Sequence, residues 1–424
     1  MLEQEIDRSL LFDSQGRWYV GRTNLLRLVR SSLTPPARVI VKDETLREGE
    51  ETPGVSLSLD EKLEVAKALE AAGVPEIEVG YPSVSDRDFK FARLLRHEVN
   101  MKLVAHGRAW AKDWKGEIDR IIKSEVDAVT FVQLGPVELV RAPYLKLSDV
   151  PEMTRRCVEY AKNNDLFTTF FLHSAGRASL DIIESFNAAA IEAGADRIYA
   201  VGDGAGGLLP ETAVFLTRFI ADVAELRGFK PQLAVHCHND FGLATANTLA
   251  AVNAGTEVVD LVVNGLGDRA GNASLEEVVC ALEVLYQVKT GIDIGKLYEL
   301  SRLVEELYQI RVQPNKAIVG ENAYRHSTDD HISTILRGEW HVFENIKPEV
   351  LGRHRTLEFG PMTMQKGPDS ALPTKIEKMG FTYTEVQLDE IIENIKKIVL
   401  MRKFATEEEV EKIIRNVIRR SRDP

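Results

Sequence analysis

Residues 196–240 read DRIYAVGDGAGGLLPETAVFLTRFIADVAELRGFKPQLAVHCHND. Two apolar runs, DRIYAV and QLAVHC, flank a segment of helical periodicity that begins at Pro210 and Glu211. Proline followed by an acidic residue is typical of a first helical turn. A strand, a helix and a second strand in this order form the βαβ unit of a parallel sheet. The stretch therefore predicts an α/β fold with parallel strands.

The same alternation extends from residue 37 to about residue 290. Eight apolar or β-branched runs are each followed by a helical segment, which predicts a (β/α)8 TIM barrel. The runs are ARVIVKD from Ala37, EIEV from Glu76, MKLVAH from Met101, DAVTFV from Asp127, FTTFFL from Phe167, DRIYAV from Asp196, QLAVHC from Gln232 and EVVDLVV from Glu257. A doubly wound open sheet is the alternative. It requires a Gly-rich phosphate turn after the first strand, and none occurs there.

These runs divide the chain into three predicted parts. Residues 1–36 form an N-terminal extension, residues 37–295 the barrel, and residues 296–424 a linker and a mostly helical subdomain. Within the last part, residues 374–424 predict two charged helices, the first ending at KIEKMGF. The second begins with acidic residues and ends with arginines, as the helix dipole favours.

Composition excludes several classes of protein. The 424 residues are 44% hydrophobic and carry a net charge of -12, which argues against nucleic-acid binding. Three cysteines without a CxxC pair argue against a disulfide framework. No apolar run is long enough for a membrane span, and the opening MLEQEIDRSL is too charged for a signal peptide. We therefore expect a cytoplasmic protein.

Polar clusters mark the predicted active site. TIM-barrel enzymes carry their catalytic groups after the carboxyl ends of the strands. Six of the predicted strands end in such clusters, namely Asp43 to Glu51, His106 to Arg108, His173 to Arg177, Asp203 with Gly204, His236 to Asp240, and Asn264 to Asn272.

His236 and His238 are the candidate metal ligands. Alternate residues of a strand point the same way, so both imidazoles can reach one ion. Glu48 and Asp43 are candidates for a carboxylate ligand, and Asn272 for a neutral oxygen ligand. Two imidazoles and a carboxylate suit a Lewis-acid metal that binds substrate oxygens. The alternative is that one imidazole is a hydrogen-bonded core residue.

Other candidates are less specific. Arg47 could face a developing enolate or oxyanion, or belong to an exposed charged loop. Asp268 and Arg269 lie in a Gly-rich segment and could approach a ligand or form a structural pair. His326 and His331 lie in a polar, loop-rich region; either could act as a general acid or base if that region folds over the site.

Four segments carry a family resemblance. Leu46 to Lys62 (LREGEETPGVSLSLDEK), Leu233 to Ala246 (LAVHCHNDFGLATA), GLGDRAGNASLEEV and GENAYRHSTDDH resemble stretches of the metal-dependent synthases of 2-isopropylmalate, homocitrate and citramalate. The resemblance covers about residues 37–400. It implies that acetyl-CoA is deprotonated, attacks a 2-oxo acid and is hydrolysed to free CoA. Glu48, instead of an aspartate, resembles the homocitrate branch.

The resemblance also implies residue roles. Glu48, His236, His238 and Asn272 would bind a divalent ion (Mg2+, Mn2+ or Zn2+). Arg47 would stabilise the enolate or alkoxide, and His331 would be the acid/base residue, contributed by the partner subunit of a homodimer. The predicted substrate contacts are Asp43, Glu51, Arg108, His173 and Gly204.

The chain departs from the family pattern near the expected substrate. Glu51 replaces a glutamine, His173 a glutamate and Gly204 a threonine, and Thr328-Asp329-Asp330 replaces Ser-Gly-Ile. Two other functions stay open. A carbon–carbon lyase on this barrel would use a cysteine past the eighth strand, but no cysteine follows Cys280. A ligand-binding protein without catalysis is the other.

Overall fold

Eight parallel strands close into a barrel in the computed structural model, which describes residues 11–420. β1 pairs with both β2 and β8, so the sheet has no edge and the TIM-barrel prediction is confirmed over the open sheet. Each predicted run overlaps one strand, and β3, β4 and β6 extend one or two residues beyond their runs. The strands are β1 Ile40–Asp43, β2 Glu76–Glu78, β3 Lys102–Arg108, β4 Ala128–Gln133, β5 Phe167–Leu172, β6 Arg197–Asp203, β7 Gln232–Cys237 and β8 Val258–Leu261.

Helices follow the strands and begin where local capping dictates. The Ser58 side chain accepts from the Glu61 amide while the Glu61 carboxylate accepts from the Ser58 amide, which fixes the start of α2. Pro210 occupies the first turn of α7. The helices are α1 Arg27–Arg30, α2 Leu59–Ala71, α3 Asp86–Glu98, α4 Trp114–Lys123, α5 Val150–Lys162, α6 Leu180–Glu192, α7 Pro210–Glu225, α8 Ala244–Asn253, α9 Leu275–Cys280 and α10 Leu297–Tyr308.

The barrel unit is longer than the sequence predicts. Residues 27–311 form one compact unit, so the predicted boundaries at 36/37 and 295/296 lie inside it. At the C-terminal boundary the reason is α10, whose buried Leu300 and Val304 belong to the core. The Tyr308 hydroxyl also donates to the Thr45 carbonyl at 2.7 Å. At the N-terminal boundary Thr34 donates to the Asn253 side chain and carbonyl, at 2.9 and 2.7 Å.

A buried ion pair inside the barrel carries a stability prediction. The Arg197 guanidinium donates twice to the Glu76 carboxylate, at 2.7 and 2.9 Å, and both side chains are buried. We expect Glu76→Ala to lower the free energy of unfolding by about 3–5 kcal/mol, because it leaves the buried Arg197 guanidinium without its carboxylate partner. Urea denaturation measures this. Glu98→Ala, which breaks the exposed pair with Lys67, should cost less than about 1 kcal/mol. Equal losses in both variants would contradict the prediction.

The second unit comprises residues 11–26 and 312–420. Its strands are β9 Arg325–His326, β10 Thr356–Phe359 and β11 Ala405–Thr406, in the order β11-β10-β9. Four helices, α11 Asp329–Leu336, α12 Ala371–Lys378, α13 Glu385–Arg402 and α14 Glu407–Arg420, bury an apolar core with this sheet. Residues 371–420 thus hold three helices, and the prediction of two was wrong. Thr384 and Gln387 form a capping box that starts α13 separately.

The N-terminal segment joins this second unit. The Tyr19 amide donates to the Asn345 carbonyl at 2.7 Å, and the Lys347 amide donates to the Arg17 carbonyl at 2.9 Å. Residues 1–10 of the predicted extension lie outside the described residues. Across residues 11–420, no helix combines the length and apolarity needed to cross a bilayer.

Candidate metal centre and active-site cavity

His236, at the end of β7, and His238, just beyond it, direct their Nε2 atoms at each other across 3.2 Å. Glu48, which follows β1, places Oε1 3.9 Å from the His236 Nε2 atom. All three side chains are buried, and these ligand atoms lie close enough together to hold one ion. Metal–ligand bonds of about 2.0–2.2 Å put neighbouring ligand atoms roughly 3 Å apart. The geometry therefore fits a divalent ion held by Glu48, His236 and His238.

Carboxylates behind His236 fix the orientation of its ring. The His236 Nδ1 atom lies 3.0 Å from Glu44 Oε2 and 3.3 Å from Asp260 Oδ2, which leaves Nε2 facing Glu48 and His238. Metal-binding histidines commonly use a carboxylate this way. Burial lowers the pKa of His236, but the charge of Glu44 and a hydrogen bond to Asp260 outweigh it and raise that pKa to about 10.

The charge around this centre also calls for a cation. Lys42 Nζ lies 2.6 Å from both Glu44 and Glu78, and Arg47 Nε lies 2.6 Å from Glu78. Four buried carboxylates lie near these two cations and near the imidazole of His236, whose raised pKa favours its positively charged form. The carboxylates are Glu44, Glu48, Glu78 and Asp260, and the cations are Lys42 and Arg47. Buried carboxylates therefore outnumber the buried cationic groups, and an excess of buried negative charge favours a bound cation.

Asn272 lies directly beside the ligands. Its Nδ2 donates to Glu48 Oε2 at 3.3 Å and to the Leu266 carbonyl at 3.1 Å. Its backbone forms an isolated antiparallel β-bridge with that of His238. Its buried Oδ1 has no hydrogen-bond partner among residues 11–420. Asn272 thus supports Glu48 and has an oxygen available, and its role as a ligand stays a prediction.

A cavity of about 290 Å³ opens over the three ligands. Eight of the predicted site residues line it: Arg47, Glu48, Glu51, Arg108, His173, Gly204, His236 and His238. Burial raises the pKa of Glu51 to about 7, and Arg47 at 3.8 Å opposes that shift. Arg108 is ion-paired with Glu117. The structure thus brings most of the predicted site together at the carboxyl ends of the strands.

Asp43 does not line the cavity. Its carboxylate accepts from the Thr45 amide and hydroxyl, both at 2.9 Å, and burial raises its pKa to about 7. The reason is the alternation of side chains along the chain. Lys42 and Glu44 join the charged cluster near His236, so the intervening Asp43 points the other way. Asp43 therefore supports the loop after β1.

Sequence reasoning missed the buried ionic network and part of the cavity lining. The missed residues are Lys42, Glu44, Glu78, Asp260, Tyr81, Trp110 and Arg141. The available signal was a charge inside an apolar strand, as in EIEV and EVVDLVV. A charge that survives in such a strand must have a buried partner.

His331 belongs to the second unit. Its Nδ1 lies 3.1 Å from His326 Nδ1, and its ring stacks on Phe343 with centroids 3.7 Å apart. His326 is held from its other side by Glu344 at 3.0 Å. Burial and the neighbouring His326 lower the pKa of His331. The two histidines therefore form a pair within the C-terminal unit.

Comparison with known proteins agrees with this fold. A family model described as HMGL-like matches residues 38–304, and one described as homocitrate synthase post-HMGL domain-like matches residues 318–403. The chain belongs to the HMGL-like family. Among solved structures, a Bacillus subtilis HMG-CoA lyase shares this barrel with a TM-score of 0.57 and 19% identity. The structural match covers 66% of this chain and 97% of the lyase. At this level of identity, the similarity is evidence of a shared fold alone.

The relatives of this HMGL-like chain have synthase names. Homocitrate synthase AksA of Methanopyrus kandleri is 38% identical over 90% of this chain and 93% of its own length. A probable 2-isopropylmalate synthase of the same organism is 39% identical over 86% of this chain and 70% of its own length. (R)-citramalate synthase CimA of Methanocaldococcus jannaschii is 37% identical over 89% of this chain and 74% of its own length. The predicted resemblance is confirmed.

Proposed function

We propose that this protein transfers the acetyl group of acetyl-CoA to a 2-oxo acid, forming a carbon–carbon bond and releasing CoA. The acceptor we favour is 2-oxoglutarate, as for a homocitrate synthase. The observation that carries the proposal is the convergence of Glu48, His236 and His238 beside Arg47 in one cavity, in a chain whose relatives are named for such condensations. In enzyme classification this is an acyltransferase that converts the acyl group to alkyl on transfer.

The residues divide the chemistry between them. Glu48, His236 and His238, with Asn272 as a possible fourth ligand, would hold Mg2+, Mn2+ or Zn2+, which supplies Lewis-acid polarisation of the acceptor carbonyl. Arg47 is held by Glu44 and Glu78 at the cavity and would stabilise the negative charge that develops on the enolate or alkoxide oxygen. His331 would act as the general acid or base that transfers a proton during the condensation. Glu51, Arg108, His173 and Gly204 would contact the acceptor.

We further propose a cytoplasmic homodimer in which His331 serves the barrel of the partner subunit. The proposal rests on the family resemblance of GENAYRHSTDDH and on the position of His331 outside the barrel unit. The molar mass in light scattering tests the dimer.

Thiol release tests the activity. Acetyl-CoA is incubated with 2-oxoglutarate, 2-oxoisovalerate or pyruvate, with and without each of the three metals, and free CoA is titrated with DTNB. We expect metal-dependent release, fastest with 2-oxoglutarate. No release with any acid would overturn the proposal. Cleavage of a hydroxyacyl-CoA in a parallel assay would favour the lyase.

The cysteines disfavour that lyase alternative. All three thiols, Cys157, Cys237 and Cys280, are buried. Burial raises the pKa of each of them, so none is a ready nucleophile or acid.

A further inference from the structure

His173, at the end of β5, is fixed by a network that the metal centre does not use. Its Nδ1 atom contacts Glu138 Oε1 directly. The Glu138 carboxylate also accepts from the Ser174 hydroxyl and from the Gly135 amide, both at 3.0 Å. Burial opposes ionisation of Glu138, but these contacts, led by that to His173, lower its pKa. The imidazole is thus held at one nitrogen by an ionised carboxylate, and Nε2 is the nitrogen left for another partner.

Gly204, at the end of β6, provides the space for this ring. A Cβ atom at position 204 would lie within 3.0 Å of three atoms of the His173 ring, Nε2 included. Those ring atoms are the nearest obstacles, and the backbone of Gly204 does not have the positive φ that would itself demand glycine. The absence of a side chain at 204 is therefore explained by the presence of the imidazole at 173.

The cavity has two walls of different charge. Its three carboxylates, Glu48, Glu51 and Asp268, follow β1 and β8. On that side Arg47 and Arg269 are ion-paired with carboxylates.

The other wall, after β3 to β5, presents basic and aromatic side chains. They are His106, Arg108, Trp110, Arg141, Phe171 and His173, and the aliphatic Val132 also lines this wall. Of these, Arg108 is ion-paired with Glu117. Arg108 and Arg141 both lie over the Trp110 ring, at 5.2 and 5.4 Å. Strand β5 stands opposite β1 in the eight-stranded ring. The Phe171 ring separates His173 from His236, with centroid distances of 5.7 and 5.4 Å.

We propose that Glu138 and Gly204 position His173 to bind the distal carboxylate of a dicarboxylic 2-oxo acid. This inference rests on the proposed function, in which the oxo-acid end of the acceptor lies at Glu48, His236 and His238. An acceptor held there extends its far end towards the basic wall. An imidazole flanked by the Glu138 carboxylate at Nδ1 and by the substrate carboxylate at Nε2 can form a charge-assisted hydrogen bond with each of them. Glu138 and Gly204 are positioning residues, and His173 is the specificity determinant.

Steady-state kinetics with two acceptors test this assignment. For His173→Ala, we expect the KM for 2-oxoglutarate to rise about 10- to 100-fold, the usual effect of losing one charge-assisted hydrogen bond. The KM for pyruvate, which has no distal carboxylate, and the kcat should change less than about threefold. His173→Gln keeps an N–H donor and should recover part of the loss. Glu138→Gln should raise the same KM. The exposed variants His97→Ala and Glu152→Gln are the matched controls.

The glycine supplies a second and independent measurement. Gly204→Ala alone should displace the ring and raise the KM for 2-oxoglutarate as His173→Ala does. In the His173→Ala background the added methyl group should have no further effect, because the three atoms nearest to it belong to the His173 ring. Additive effects of the two changes, or equal losses with both acceptors, would overturn the inference. If the wild-type protein releases no thiol with any acid, the proposed function fails and this inference with it.

Discussion

His238→Ala is expected to lose bound metal and condensing activity together. His236, Glu48 and the Asn272 amide would remain, but a hard divalent ion is poorly held once one of two imidazoles is gone. Removing even an outer partner of a metal ligand typically costs 10- to 100-fold in affinity, so we expect a loss of at least about 100-fold here. Elemental analysis of the gel-filtered protein measures the metal, and thiol release measures the activity.

Two controls make that result interpretable. His97→Ala removes an exposed imidazole on α3 and should retain both metal and activity. Because His238 is buried, the circular dichroism spectrum and urea midpoint of the variant must show that the barrel still folds. A folded His238→Ala protein that is fully active without metal would refute the metal centre.

The fold could be predicted because the barrel repeats one local signal eight times. Each β run is short, apolar and followed by a helical segment, so errors of one or two residues at each end do not change the count. Side-chain alternation in His236-Cys237-His238 likewise predicts two imidazoles on one side of the strand, and the structure places their Nε2 atoms 3.2 Å apart.

The surroundings of the site could not be predicted, because they depend on partners distant in sequence. Lys42 meets Glu78 and Asp260 only after β1, β2 and β8 are paired. Glu138 and His173 belong to neighbouring strand-end loops. The same holds for α10, whose periodicity predicts a helix but does not say which core buries it. Hydrophobic periodicity in the sequence predicts a helix or strand and the face that it buries. Which charged side chains meet depends on the register of the strands and on the closure of the barrel.

His331→Ala is expected to retain metal but to lose about 10²–10⁴-fold in kcat, the usual contribution of a general acid/base residue. His331 lies in a different unit from the three metal ligands, so its loss should not alter metal content. Burial and His326 lower its pKa, which keeps the imidazole neutral at pH 7 and ready to accept a proton. The wild-type rate should therefore fall as the pH drops through that lowered pKa. His354→Ala, exposed in the same unit, should behave as wild type.

Mixing the two inactive variants decides which subunit supplies His331. A heterodimer of His238→Ala and His331→Ala chains contains one intact barrel and one intact His331, on different chains. If His331 serves the partner's barrel, subunit exchange creates complete sites and activity returns. If it serves its own barrel, every site in the mixture lacks one group and the mixture stays inactive. If His331→Ala alone has the wild-type rate, His331 is not the proton-transfer group, because the reaction then proceeds without its imidazole.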